Sequence, residues 1–107
     1  MPNLRYRDQL YLGDGIKTEK LDKLKKKLKN KPIFANVYLI TLSGNPSDQL
    51  DIYQSKYLAQ KYYDENPLFC IGIAKNYDDA LYIVQQIAGE CYARRGDARL
   101  REYLMGT

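Results

Sequence analysis

The chain has 107 residues, enough for one hydrophobic core and too few for two. With 45% hydrophobic residues it reads as a folded protein, and it has no apolar run of about eighteen residues, so no membrane span is expected. Its formal charge of +4 is concentrated: eight of the seventeen Lys and Arg residues lie between Lys17 and Lys31, against Glu19 and Asp22 alone. That segment carries about +6 and leaves the rest of the chain at about −2.

Histidine is absent. This removes His-dependent zinc sites, Ser–His and Cys–His nucleophilic pairs, and the commonest proton carrier near neutral pH. Cys70 and Cys91 lie in separate apolar segments with no second Cys beside either, which is neither a disulfide framework nor a zinc pattern. Two free thiols and a first twenty residues without an apolar signal core point to a cytoplasmic protein. Eleven tyrosines, with no Trp and two Phe, suit surfaces half buried against a partner.

In chain order, residues 1–8 are polar and mixed and read as a flexible arm. Gln9–Leu12 reads as a short strand stopped by Gly13-Asp14-Gly15. Leu21, Leu24 and Leu28 form a helical stripe over Lys17–Lys29, with Thr18 as its N-cap and Asn30, Lys31 and Pro32 at its end. Phe34–Leu42 is almost continuously apolar and reads as a strand covered on both faces. Asn45 and Pro46 look like the start of a second helix, with Leu50, Tyr53 and Tyr57 as its stripe and a weak point near Ser55. Leu68–Ala74 is the third strand, with Gly72 marking a close approach. Asn76 and Asp79 open a third helix, with Ala80, Ile83, Val84, Ile87 and Cys91 along one side and Gly96 at its end. Asp97 caps a short terminal helix that buries Leu100 and Leu104.

The expected fold is therefore a single α/β domain over residues 1–107, with β-α-β-α-β-α order, a small, mainly parallel three-stranded sheet and a short C-terminal helix. A ferredoxin-like β-α-β-β-α-β arrangement is the second possibility, and requires a strand within residues 50–62. A three-stranded sheet leaves two edges open, and a second copy of the chain, most simply in a homodimer, is expected to cover one.

No catalytic, metal or cofactor motif is present. A ligand rim is expected where Gly13, Asp14 and Gly15 meet Ser43 and Asn45 and also Lys75 and Asn76, at the C-terminal ends of three parallel strands. These residues also have ordinary roles as turns and helix caps. Lys23, Lys26 and Lys27 form a basic helix face suited to nucleic acid, to an acidic protein partner or simply to solvent. Arg94 and Arg95, followed by Arg99 and Arg101, form a weaker cluster, and the nucleic-acid reading strengthens if both clusters share a face. Tyr62 and Tyr63, beside Asp64 and Glu65, suit an interface better than base stacking.

The phrases Leu10-Tyr-Leu-Gly-Asp-Gly15, Val37-Tyr-Leu-Ile-Thr-Leu42 with Asn45-Pro46, and Ile71-Gly-Ile-Ala74 with Ala80-Leu81 resemble a family of small bacterial proteins of unassigned function. The resemblance implies a compact cytoplasmic α/β protein and transfers no activity. The function expected from the residues is non-enzymatic binding through the basic helix or a tyrosine-rich interface. The alternative is a small or phosphorylated ligand, with or without catalysis, held at the rim of the sheet.

Overall fold

The structure, a computed structural model, describes residues 4–42, 49–60 and 67–105. Its sheet has four strands, β1 (Leu4–Leu12), β2 (Tyr38–Leu42), β3 (Leu50–Gln54) and β4 (Leu68–Ala74), in the order β1-β4-β2-β3. β1 runs parallel to β4, while β2 runs antiparallel to both β4 and β3. Among the described residues the helices are α1 (Leu21–Asn30), α2 (Tyr77–Arg95) and α3 (Leu100–Met105). The expected three-stranded, mainly parallel β-α-β-α-β-α fold is thereby replaced by a largely antiparallel mixed sheet.

The difference turns on Leu50–Gln54. Leu50 and Tyr53 fit a helical stripe, but Leu50 and Ile52 also fit a strand with one buried face. Pairing decides between them, because β2 offers a row of backbone groups that would otherwise be buried without partners. β3 satisfies that row from Leu42↔Leu50 to Tyr38↔Gln54. The strand that the ferredoxin-like alternative required is thus present, followed by a 3₁₀ turn over Ser55–Ala59 where a weak point was expected. Asn45 and Pro46, the expected start of the second helix, lie outside the described residues.

Two other boundaries move. β1 begins at Leu4, so residues 4–8 are sheet where a flexible arm was expected; Leu4 and Tyr6 pack beneath α1 with Leu10 and Leu12. β2 begins at Tyr38, because Pro32–Phe34 forms a 3₁₀ turn and Asn36 takes a positive φ of 53°. Thr18 lies in a 3₁₀ turn and does not cap α1, which Lys20 precedes without a side-chain cap. At α2 the expected cap is present: Asn76 Oδ1 accepts from the Asp79 N–H at 2.8 Å. Asp97 Oδ1 likewise accepts from the Arg99 N–H at 3.0 Å ahead of α3.

The sheet separates two cores. On one face Leu28 of α1 packs with Leu39, Leu58, Cys70 and Ile73; on the other Ile83, Ile87 and Cys91 of α2 pack with Ile40, Ile71 and Leu104. β4 contributes to both, and it changes phase part-way. Thr41 faces Cys70 and Ile40 faces Gly72, so Ile71 is an extra residue. Ile71 and Gly72 therefore both turn toward α2, and Ile73 returns to the α1 side. A Cβ on Gly72 would lie 3.0 Å from the Tyr11 carbonyl oxygen and 3.2 Å from Ile40 Cδ1. Among the described residues no helix is long and apolar enough to cross a membrane.

Gly72→Val is expected to destabilise the fold by about 1–3 kcal/mol, because backbone on one side and a packed Ile on the other cannot both retreat. Urea unfolding followed by circular dichroism measures it. A midpoint unchanged from the wild type would show that the two strands are not this close.

Candidate functional site

Parallel pairing of β1 with β4 brings the loops after these two strands together. The Gly13 N–H donates to the Ile73 carbonyl at 2.9 Å, and Ile16 N–H closes the turn on Gly13 O at 3.1 Å. Gly15 has φ +81°, the left-handed region, and a Cβ there would lie 3.0 Å from Lys75 Nζ. The Lys75 side chain therefore lies across Gly15, and it is the positive φ that calls for a glycine there. Asp14 is exposed at the turn, and Asn76 is engaged as the α2 cap.

β2 does not join this rim. It runs antiparallel to β4, so Tyr38 lies beside Ala74 and the C-terminal end of β2 lies at the far end of the sheet. The expected convergence of three loops is therefore overturned by strand direction; Ser43 and Asn45 themselves lie outside the described residues. In their place the rim gains residues from the approach to α1. Gly15, Lys17, Lys20 and Lys75 surround a cleft of about 360 Å³ floored by Leu24 and Val37. Among the described residues none that lines it is acidic.

Lys20, Lys23 and Lys27 follow one side of the helical segment at spacings of three and four, so the basic surface continues from the cleft. Lys23, Lys26 and Lys27 are all exposed. Among the described residues none of the lysines from Lys17 to Lys31 forms an ion pair; Lys25 lies instead over the Tyr6 ring, 4.6 Å from its centre. Arg94 and Arg95 belong to α2 and so to the opposite layer. The two basic clusters do not form one stripe. Arg95 is held by Asp97 at 3.2 Å and by Glu102 at 3.0 Å.

Arg94 belongs to a second constellation, which the sequence reading did not single out. Arg7, Tyr11, Glu90, Arg94 and Tyr103 line a cleft of about 420 Å³ between β1 and the α2 layer. The hydroxyls of Tyr11 and Tyr103 both donate to Glu90 Oε1, at 2.7 and 3.2 Å. Burial, followed by the Glu90 hydrogen bond, holds the Tyr11 phenol above the usual tyrosine range, so it remains a donor. These residues come from positions 7 to 103, and apart from Glu90 and Arg94, one turn apart on α2, no local spacing links them. The sequence signals are the spacing of four between Glu90 and Arg94, and Arg7 and Tyr11 in a stretch read as a flexible arm followed by a short strand.

Among the described residues no three His, Cys, Asp or Glu side chains come together as a metal site. Both cysteines are free and buried. The chain matches no family model, no curated protein and no solved structure.

Burial pushes the Cys70 thiol up from its ordinary 9.0 to about 12. The folded state therefore keeps a proton that the unfolded chain releases above about pH 9, so this group's contribution to stability is complete below that pH. It is lost as pH rises toward 12. Burial raises Tyr6 and Tyr11 as well, and they act in the same direction. Unfolding midpoints measured from pH 7 to 11 are expected to stay level and then fall above about pH 9. Midpoints that rise over that range would contradict it.

Proposed function

We propose that this chain is a non-enzymatic, cytoplasmic binding protein that holds a phosphate-bearing polymer, a nucleic acid, against the α1 layer. The observation that carries this reading is the Lys17–Lys20–Lys75 cleft, lined by no carboxylate among the described residues and continuous with Lys23 and Lys27. A phosphate seated in the cleft would meet several ammonium groups, while the neighbouring lysines follow the backbone on either side. Such contacts give affinity without sequence preference and release counterions on binding. Two free cysteines fit a reducing compartment.

Fluorescence polarisation with labelled single- and double-stranded oligonucleotides tests the reading. Binding is expected near micromolar Kd and should weaken steeply with salt, with each lost phosphate contact lowering the log–log slope by about one. Lys17/Lys20/Lys75→Ala and Lys23/Lys26/Lys27→Glu variants should each weaken it by about tenfold or more, whereas Arg94→Ala on the opposite layer should not. Absence of binding at low salt, or equal loss in all three variants, would sink the proposal. Binding of phosphate monoesters in place of polymers would turn it toward a small ligand at the same cleft.

A specific observation also favours self-association. Among the described residues β3 has β2 as its sole neighbour in the sheet, and its pairing shows neither a bulge nor a proline or lysine to blunt its edge. Antiparallel pairing with a second copy about Ile52 would set Asp51 opposite the partner's Tyr53. Within one strand the Tyr53 hydroxyl already donates to Asp51 Oδ2 at 3.4 Å, so the same pair of groups is suited to bonding across a two-fold axis. Exposed Tyr77 and Leu81 on α2, and Phe34 and Tyr57 on the α1 side, supply apolar area beyond the strand. Sedimentation equilibrium should give a dimer for the wild type and a folded monomer for Asp51→Lys/Tyr53→Lys, which sets lysine against lysine. A wild-type monomer at about 0.2 mM, well above the range of specific association, would exclude it.

A further inference from the structure

We propose that the cleft between β1 and α2 is a second, separate binding site, for a small molecule carrying a carboxylate or phosphate group. It lies on the layer opposite α1 and does not depend on the lysine surface.

The site begins with a break in the sheet. Tyr6 pairs with Cys70 and Tyr11 pairs with Gly72, so five steps along β1 answer two along β4. The residues between them leave the regular ladder, as bulged strands do where a side chain is re-aimed. Arg7 is the side chain re-aimed here. Its Nε donates to the Leu104 carbonyl at 3.1 Å and its Nη1 to the Gln9 carbonyl at 2.7 Å. Its guanidinium also lies 5.6 Å from the centre of the Tyr11 ring. Two carbonyls and an aromatic face fix the group in place, yet they leave its full charge uncompensated. Among the described residues Arg7 is half-buried with no carboxylate in ion-pair reach.

That arrangement is unusual because a partly desolvated guanidinium ordinarily has an anionic partner. The nearby carboxylate, Glu90, is occupied differently. It receives Tyr11 and Tyr103 on Oε1 and Gln86 on Oε2, the last at 3.3 Å. Arg94, one turn beyond Glu90 on α2, lines the same cleft and likewise has no partner among the described residues. The lining therefore presents two guanidiniums and one carboxylate already satisfied by phenols, a net single positive charge. At about 420 Å³ the space lies within the range of small-molecule sites.

An oxyanion entering between Arg7 and Arg94 would give each cation its missing partner. Arg7 Nη2 makes no hydrogen bond among the described residues, and Arg94 lies exposed at the rim of the cleft. Glu90 sets the limit on charge, since a ligand carrying several negative charges close together would be repelled by it. The site is thus matched to one oxyanion group, where the lysine surface is matched to many.

Nuclear magnetic resonance of the ¹⁵N-labelled full chain tests this, with inorganic phosphate and acetate titrated separately at fixed ionic strength. The background is the Lys17/Lys20/Lys75→Ala variant, which removes the lysine cleft. Saturable shifts confined to residues 7–11, 86–94 and 103 are expected with one or both anions, and which anion saturates identifies the group. Arg94→Ala should weaken the midpoint by about fivefold, the effect of one partly exposed charge contact, with unchanged dispersion elsewhere in the spectrum. Glu90→Gln should tighten it by a similar factor, a gain that a purely structural role for Glu90 would not produce. Shifts that fail to saturate with either anion, or that saturate equally in Arg94→Ala, would overturn the proposal. Loss of oligonucleotide binding by the α1 layer would leave it untouched.

Discussion

Everything in this fold depends on how β4 is surrounded. It is the strand with a parallel neighbour on one edge, an antiparallel neighbour on the other and a helical layer on each face. A strand so enclosed has no water to satisfy its backbone or excuse a misfit side chain, so its sequence must serve two cores at once. Ile71 and Ile73 would ordinarily point the same way. The extra residue at Ile71 lets one serve each core, and Gly72 lets Tyr11 and Ile40 close over the irregularity. The two neighbours then fix the rest: β1 through its direction sets where the rim forms, and β2 through the opposite direction decides what the rim lacks.

What the sequence made legible follows from how local the physics is. Asn76 and Asp79 cap α2 because the two groups lie three residues apart and need nothing else. Gly96 ends the same helix in the left-handed region, and Leu28 fills the core under α1 as its spacing required. Leu50–Gln54 was not legible in the same way. Its apolar residues fit both a helical and a strand period, and the tie is broken by an unpaired edge of β2, a fact of tertiary structure. The early residues of β1 were obscured for a related reason. Arg5, Arg7 and Asp8 give a polar look to an edge strand whose Leu4 and Tyr6 are nonetheless packed.

The candidate sites divide along the same line. Lys75 and Gly15 were visible as loop residues after strands, and parallel pairing joins them. Ser43 and Asn45 join them only if the strands are parallel throughout, and β2 runs the other way; both residues lie outside the described residues. Lys17 and Lys20 were seen as part of a basic run, but their place at the cleft depends on a 3₁₀ turn that tilts the chain into α1. The cluster of Arg7, Tyr11, Glu90 and Tyr103 was beyond reach, because it is assembled by a bulge and two helices distant in sequence.

The separation of the layers has an electrical consequence. Among the described residues one side of the sheet carries the surplus of positive charge, and α2 with its neighbours, where Asp78, Asp79, Asp97 and Glu102 offset the arginines, carries almost none. The molecule is therefore a dipole directed across its own thickness. In the field of any strongly charged surface it experiences a torque before it makes contact, and it turns its α1 side toward negative charge while still several ångströms away. Orientation and contact thereby become separate events. The first is governed by the charge imbalance between two helices, and the second by the shape of whichever surface has been turned to face outward.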